Sequence, residues 1–146
     1  MSRLFLSITV LKLFTLRSYS ELENGSFATI YLSPKDYHRI HMPCEGVLIS
    51  MKYIPGNLFS VNQNTVNQVK RIFARNERLI CLFDTDFGVM AFVLVGAIFV
   101  GSMQTEWQGQ ITPPYSKKVI NYDYKDREIR LTKGDELGRF NMGLTV

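Results

Sequence analysis

The chain contains two histidines, and both lie in the stretch YLSPKDYHRIHMP at 31–43. Imidazole titrates near neutral pH, so His38 and His41 are the natural candidates for acid–base chemistry. Their spacing of three residues fits one side of a helical turn, but it also fits opposite faces of an extended segment. A purely structural role, in which both rings satisfy backbone groups of a tight turn, is an equally good interpretation. The residues alone leave these alternatives open.

The same stretch does not predict a metal site. A metal would need a third ligand, and although Asp36 is near, DYHRIH is not a ligand pattern. Cys44 and Cys81 stand 37 positions apart without a CxxC spacing, so they predict neither a zinc site nor a disulfide framework. We interpret both cysteines as small buried hydrophobic residues in a reducing compartment.

Composition predicts one folded domain with a mild basic charge. The chain has 146 residues, of which 46% are apolar and 21% charged, and its net charge is +4. A nucleic-acid binder usually concentrates its cations in a stripe, whereas these are mostly scattered. Weak attraction to anionic lipid is equally compatible with such a charge. The one cluster consists of Lys70, Arg71, Arg75 and Arg78.

The hydropathy pattern is mostly that of short strands. Alternating or continuous apolar runs bounded by turn residues predict strands at 27–32, 46–54, 78–83 and 136–143. Residues 118–124 and 128–131 are typical of a hairpin that turns at 125–127. On the strand at 46–54, the alternation places Val47, Ile49, Met51 and Tyr53 on one face. The fold class that follows is mainly β (α+β), a single-domain core resembling a β-sandwich or barrel.

One helix is predicted at about 64–74. Asn64 is a candidate N-cap, and an apolar stripe follows it along one face. The stripe consists of Val66, Val69, Ile72 and Phe73. Residues 75–78, with the sequence RNER, follow this helix, and their charge predicts a solvated helix end.

Two apolar segments raise the question of a membrane span. Residues 87–103 carry no charge, but three glycines and many β-branched residues predict two strands that meet near Gly96. Residues 4–14 are too short to cross a bilayer, and no small-residue cleavage site follows them. We therefore predict no transmembrane helix and no secretory signal.

Five stretches, taken in order, resemble the bacterial phosphatidylserine decarboxylases. Their collinearity makes the resemblance specific, and it covers roughly 24–146. Residues 1–23 fall outside it, as an atypical N-terminal segment that is either interfacial or out of register with the family. The stretches are YLSPKDYHRIHMP (31–43), YIPGNLFSVN (53–62), FARNERLICLFDTDFG (73–88), VGAIFVGSM (95–103) and KGDELGRFNMG (133–143).

The resemblance implies a pyruvoyl enzyme that converts phosphatidylserine to phosphatidylethanolamine and CO₂. The family makes this cofactor from its own backbone: a serine attacks the carbonyl of the preceding glycine, and elimination from the resulting ester releases the upstream β chain. The serine remnant becomes the pyruvoyl group of a small α chain. Its ketone forms a Schiff base with the substrate amine and accepts the electrons left by the departing carboxylate.

Residue by residue, the resemblance assigns roles to both histidines and to the end of the chain. His41 takes the position of the base for self-processing, and His38 lines the substrate pocket. Gly143 supplies the carbonyl that is attacked, but Leu144 stands where the family has its pyruvoyl-forming serine. We therefore expect that this chain cannot process itself.

The resemblance also implies that parts of the family's machinery are missing. The family's triad aspartate lies upstream of the first matched strand, and Asp36 does not replace it. We expect a β-chain-like fragment, truncated at both ends, without the family's α chain. The alternatives are a non-catalytic phosphatidylserine-binding pseudoenzyme and a degenerate gene fragment.

Partners and location follow from the same resemblance. The expected partners are phosphatidylserine, an anionic membrane surface, the family's α chain and a second copy of the chain in a homo-oligomer, but no nucleic acid. The expected location is peripheral, on the cytoplasmic side of a bacterial cytoplasmic membrane.

Overall fold

A computed structural model describes residues 22, 25–124 and 126–141 of the chain. Within them, nine strands and two short helices follow one another. The strands are β1 (Arg39–His41), β2 (Gly46–Ile54), β3 (Arg78–Thr85), β4 (Gly88–Val95), β5 (Ser102–Thr105), β6 (Gly109–Gln110), β7 (Ile120–Tyr122), β8 (Arg130–Leu131) and β9 (Glu136–Asn141). The helices are α1 (Gln63–Gln68) and α2 (Ile72–Arg75).

The strands form two antiparallel sheets, which confirms the mainly β prediction. The first sheet has the order β1-β9-β5-β6, and the second has the order β4-β3-β2-β7, with β8 also pairing β2. Residues from both sheets meet in one hydrophobic core. Phe83 on β3 is fully buried there and contacts Phe92 and Trp107 edge to face, at ring-centroid distances of 5.8 and 5.9 Å. Because both sheets bury apolar side chains in this core, the sheets are held together by hydrophobic packing.

Strand β2 has the predicted bounds, but the predicted face is wrong in its first half. Met51 and Tyr53 are buried as expected, whereas Ile49 is 51% exposed and Leu48 is buried in its place. The register with β3 shifts between Leu48 and Ser50. A bulge inserts one residue into the ladder and so moves the following side chains to the opposite face.

The single helix predicted at 64–74 is wrong, because two short helices occupy this region. Arg71 adopts a left-handed conformation with φ 58°, which ends any continuous helix between α1 and α2. The N-cap of α1 is Asn62 and not Asn64, since Asn62 Oδ1 accepts a hydrogen bond from the Thr65 backbone N–H at 2.9 Å. Of the predicted apolar stripe, only Ile72 is fully buried.

Two further strand predictions are wrong. Strands β7 and β8 do not form a hairpin with each other, because each pairs a different part of β2. Strand β2 is nine residues long and offers a more extensive ladder than two short strands offer each other. Residues 27–32 form no strand beyond a single bridge at Ile30, and Phe27 and Ile30 are exposed.

The long apolar segment at 87–103 forms strands, as predicted. It supplies β4 and β5, and the chain leaves the ladder of the second sheet at Gly96 before it enters the first. Among the described residues, no helix is long and apolar enough to cross a bilayer.

Candidate functional site

The histidine stretch lies against the strand that leads toward the predicted cleavage residues. Strand β1 pairs β9 in antiparallel register, with Arg39 opposite Arg139 and His41 opposite Glu136. The Phe140 N–H donates to the His38 carbonyl at 3.0 Å, which extends the pairing past β1. Residues that are 97 positions apart, such as Arg39 and Glu136, thereby become neighbours. The predicted cleavage residues, Gly143 and Leu144, lie outside the described residues.

Strand β9 lies between β1 and β5, and a glycine lets the backbones approach. A Cβ atom on Gly138 would lie 2.3 Å from the backbone oxygen of Gln104 on β5. The preceding residue, Leu137, is fully buried in the core. The sequence KGDELGRF therefore places a core side chain and a close backbone contact in succession, and together they fix β9 beside β5.

Ion pairs also hold β1 to β9. Arg39 pairs with Glu136, which in turn lies 3.3 Å from Arg139. Arg139 also lies 3.8 Å from Glu106, in the turn after β5. These groups are partly exposed, so water and salt screen each pair and its contribution to stability is small. They orient the strands more than they stabilise the protein.

The His41 ring is held at both nitrogens. Its Nδ1 lies 2.8 Å from the Gly134 carbonyl oxygen, and because a carbonyl only accepts, Nδ1 carries a proton. Nε2 lies 2.8 Å from the Tyr37 hydroxyl, and the two rings stack with 9° between their planes. In the neutral ring, Nε2 is therefore the acceptor of the Tyr37 proton. This arrangement fixes the tautomer and gives Nε2 the lone pair that a general base needs.

His38 has a different environment and shares no hydrogen-bond partner with His41. Its Nδ1 donates to the Asp36 carbonyl oxygen at 2.6 Å. Its Nε2 is buried and has no hydrogen-bond partner among the described residues. A buried nitrogen of this kind is costly unless it meets a partner, so it marks His38 as a candidate binding residue.

The Asp36 carboxylate makes no hydrogen bond to either histidine. Its Oδ2 accepts a hydrogen bond from the Ser33 backbone N–H at 2.7 Å. Hydrogen bonds from Ser33 hold the pKa of the Asp36 carboxyl below its ordinary value. The aspartate therefore stabilises the turn before the histidines. Among the described residues, no three His, Cys, Asp or Glu side chains are grouped to hold a metal ion.

Three of the four RNER residues are buried and only Arg75 is exposed, which contradicts the predicted solvated helix end. Asn76, Glu77 and Arg78 are 0%, 1% and 5% exposed. Asn76 donates from Nδ2 to the carbonyls of Phe59 and Gly96, and its Oδ1 accepts from the Phe59 N–H. The amide therefore links two loops that follow β2 and β4. Gly56 and Gly96 face this segment and permit its close approach to the neighbouring chain. These two glycines are the signal that the sequence offered.

Glu77 is a buried carboxyl beside one of these glycines. A Cβ on Gly96 would lie 2.6 Å from Glu77 Oε1, so only glycine leaves room for this side chain. The Tyr53 hydroxyl donates to Glu77 Oε2 at 2.9 Å. Loss of solvation raises the pKa of Glu77 to about 7, partly offset by the Tyr53 hydrogen bond.

Glu77→Gln is expected to remove a pH dependence of stability. The folded protein keeps Glu77 protonated up to a pKa of about 7, whereas the unfolded chain ionises from about pH 4.5 upwards. Stability should therefore fall by up to about 3 kcal/mol as the pH rises through this window, and then stay level. Glutamine cannot ionise, so urea unfolding at pH 5 and pH 8 should show a smaller fall in the variant. The exposed control Asp86→Asn should keep the wild-type fall, and an equal fall in Glu77→Gln would contradict this assignment.

A separate cavity of about 520 Å³ lies along β2, away from the histidines. It opens between the points where β7 and β8 pair β2, and its lining includes Ile49, Tyr122, Tyr124 and Arg127. Neither histidine lines it. The histidines and the ion pairs of β1 and β9 therefore lie outside this cavity.

Comparison with known proteins shows which family the chain belongs to. The family model described as phosphatidylserine decarboxylase matches residues 6–146. The chain belongs to the phosphatidylserine decarboxylase family. The match begins further upstream than the predicted boundary at 24, and it includes both histidines and the sequence around Gly143.

Curated members of the phosphatidylserine decarboxylase family are closely similar to the chain. It is 58% identical over 127 residues to a phosphatidylserine decarboxylase proenzyme of Acidovorax ebreus, which covers 87% of this chain and 45% of that protein. It is also 58% identical over 131 residues to the proenzyme of Methylococcus capsulatus, covering 89% of this chain and 46% of the relative. The chain thus spans just under half the length of these relatives.

Proposed function

We propose that this chain is the β-chain part of a phosphatidylserine decarboxylase whose self-processing is blocked at Leu144. The observation that carries the proposal is the pairing of β1 with β9, which brings the histidine stretch beside the strand leading to Gly143. Relatives with about this identity are named proenzymes, a term for proteins that are processed after synthesis. The proposal concerns the activity of the whole protein, of which the chain spans about half.

The two histidines have different proposed roles. His41 is the base for self-processing, because the Gly134 carbonyl fixes its tautomer and leaves the lone pair on Nε2. The Tyr37 hydroxyl occupies this lone pair, so Tyr37 either moves aside or passes the proton. His38 is the substrate-pocket residue, because its buried Nε2 has hydrogen-bonding capacity that no described residue uses.

The residues present do not fit the pyruvoyl group of the family. That group arises from a serine hydroxyl, whereas residue 144 is leucine and its side chain carries no oxygen. No arrangement of neighbouring bases can make a hydrocarbon side chain attack a carbonyl. With leucine at position 144, this chain therefore lacks the group on which decarboxylation depends.

The proposed partners follow from the substrate of the family. Phosphatidylserine is a bilayer lipid, so its binding site must meet the surface of a membrane. We infer a peripheral location on the cytoplasmic side of a bacterial membrane, and the family's α chain as the partner that would carry the cofactor. The homo-oligomer stays a prediction.

The test is to incubate the purified chain with phosphatidylserine vesicles and to measure CO₂ release. We expect no CO₂, no labelling by a hydrazide that reacts with ketones, and a single intact chain by mass spectrometry. A processed relative serves as the positive control for both reagents. Release of CO₂ above the protein-free blank, or hydrazide label on the chain, would show that a carbonyl cofactor forms without a serine at position 144 and would overturn the proposal.

Binding of phosphatidylserine without turnover is a second candidate function. The buried, unpartnered Nε2 of His38 favours it, because a substrate group would satisfy this atom. A short-chain phosphatidylserine below its micelle concentration should bind saturably, and His38→Ala should weaken that binding about tenfold. Equal binding by the wild type and His38→Ala would exclude this role for His38.

A further inference from the structure

Several loops meet at one end of the molecule, where β2 and β4 end. The Asn76 side chain bonds the backbone of Phe59 and of Gly96, which joins the loop after β2 to the turn after β4. A Cβ on Gly101 would lie 3.2 Å from both the Leu58 side chain and the Tyr115 hydroxyl, so these groups also adjoin. We call the surface formed by residues 55–60, 70–76, 96–101 and 113–119 the basic end.

The basic end exposes large apolar side chains. Ile98 and Phe99, at the tip of the turn after β4, are 53% and 70% exposed. Tyr115 and Val119 are 49% and 51% exposed on the neighbouring segment. Exposed apolar side chains grouped on joined loops are typical of a binding surface and not of an ordinary solvated one.

The charge of the basic end has one sign. It carries five cationic side chains, and the sequence has no Asp or Glu at 55–76, 96–105 or 107–122. The adjoining acid, Glu77, is buried beneath these loops and does not reach the surface. The Arg75 guanidinium lies 4.8 Å from the centre of the Phe59 ring, so cationic and aromatic groups are interleaved. The five cations are Lys70, Arg71, Arg75, Lys117 and Lys118.

The opposite end of the same sheet has the opposite charge. Strand β3 runs from Arg78 at the basic end to Thr85, a span of roughly 25 Å over its eight residues. Asp84 lies near the end of β3, and the turn that follows carries Asp86 and Phe87, which is 87% exposed. Exposed aromatic groups therefore stand at both ends of the sheet, but only one end surrounds them with cations.

We propose that the basic end docks on an anionic lipid bilayer, with Ile98 and Phe99 entering the interface and the cations contacting lipid phosphates. Apolar side chains at the tip and Lys or Arg around them are the combination that binds such surfaces. The inference deepens, and rests on, the proposed membrane location. Asn141, the last described residue of β9, lies opposite Ser102, directly after this turn. A docked bilayer would thus present lipid at the end of β9 that leads into the cleavage sequence.

The experiment measures co-sedimentation of the full chain with phosphatidylcholine vesicles, with and without added phosphatidylglycerol. Phosphatidylglycerol supplies anionic charge without the serine headgroup. We expect binding only to the anionic vesicles. Phe99→Ser should weaken it about tenfold or more, since the phenylalanine side chain would no longer be buried in the interface. The pair Lys117→Glu and Lys118→Glu should weaken binding by at least about tenfold as well.

Phe87→Ser is the matched control. It removes an exposed phenylalanine from the opposite end of the sheet, beside Asp86, and should leave vesicle binding unchanged. Equal losses in Phe87→Ser and Phe99→Ser, or no binding by the wild type, would overturn the proposal. Loss of vesicle binding through the lysine changes but not through Phe99→Ser would also overturn the proposal. It would indicate a site for polyanions such as nucleic acid. A dimer that Phe99→Ser dissociates, with vesicle binding unchanged, would assign the surface to a second copy. The proposed function is tested by CO₂ release and by the mass of the chain, which do not depend on Phe99, so the docking surface and the proposed function can fail separately.

Discussion

Gly138→Ala is expected to destabilise the protein by about 3 kcal/mol, at the upper end of overpacking effects. The added methyl group would lie 2.3 Å from the Gln104 backbone oxygen and 3.2 Å from Thr105 Cα. Both atoms belong to the backbone of β5, so no side-chain rotation relieves the contact, and β9 must move away from β5. Urea unfolding followed by circular dichroism should show the midpoint shifted to lower urea.

The effect of Gly138→Ala should reach the histidines as well. Gly138 lies opposite Ile40 on β1, so a displaced β9 disturbs the strand that carries His41. The control is Lys133→Ala, in the exposed turn before β9, which should change stability by no more than about 0.5 kcal/mol. Wild-type stability in Gly138→Ala would contradict the close packing of β9 and β5.

Strands with a strong local pattern could be predicted from the sequence. Residues 46–54 form β2 with the predicted bounds, because an alternating apolar run ends at Pro55 and Gly56. Residues 78–83 form most of β3 because the five residues after Arg78 are apolar on both faces, and both faces are buried. Local composition decides these elements, and their tertiary contacts agree with it.

Features that depend on non-local pairing could not be predicted. The bulge at Ile49 arises where β2 meets β3, and no residue of β2 alone indicates it. The predicted hairpin failed for the same reason, since β7 and β8 each find a better partner in β2. The helix at 64–74 failed because Arg71 takes a left-handed conformation that propensity alone does not favour.

The candidate site was predicted only in part. Residue types identified His38 and His41, but only the family resemblance connected them with the end of the chain, and the β1–β9 pairing now supports that connection. The RNER segment was predicted to be solvated because charged side chains are rarely buried. Asn76, Glu77 and Arg78 are buried instead, because Asn76 and Glu77 find hydrogen-bond partners that are distant in sequence. The assignments of Gly143 and Leu144 stay predictions.

Leu144→Ser is expected to restore self-cleavage, an all-or-none effect. The substitution supplies the hydroxyl that leucine lacks, directly after Gly143, and His41 already has its Nε2 lone pair fixed by the bond from Nδ1 to Gly134. The hydroxyl can then attack the Gly143 carbonyl to give an ester, and elimination from this ester releases a chain that ends at Gly143. Mass spectrometry of the incubated variant detects the loss of the residues that follow Gly143.

Two control variants separate this chemistry from ordinary proteolysis. Leu144→Ala shortens the side chain without adding oxygen and should stay intact. Leu144→Ser combined with His41→Ala should lose cleavage by a factor of about 100 or more, because the base is absent. Cleavage of Leu144→Ala at the same rate would assign the break to a contaminating protease.

Intact-mass spectrometry of the wild type and Leu144→Ser, incubated side by side, tests the central claim most directly. The claim is that the missing oxygen at residue 144 blocks self-cleavage in a fold that holds His41 on the strand beside β9. It predicts one uncut species of 16.8 kDa for the wild type and a chain ending at Gly143 for the variant. A wild-type chain that ends at Gly143, or a folded Leu144→Ser chain that stays intact, would contradict it.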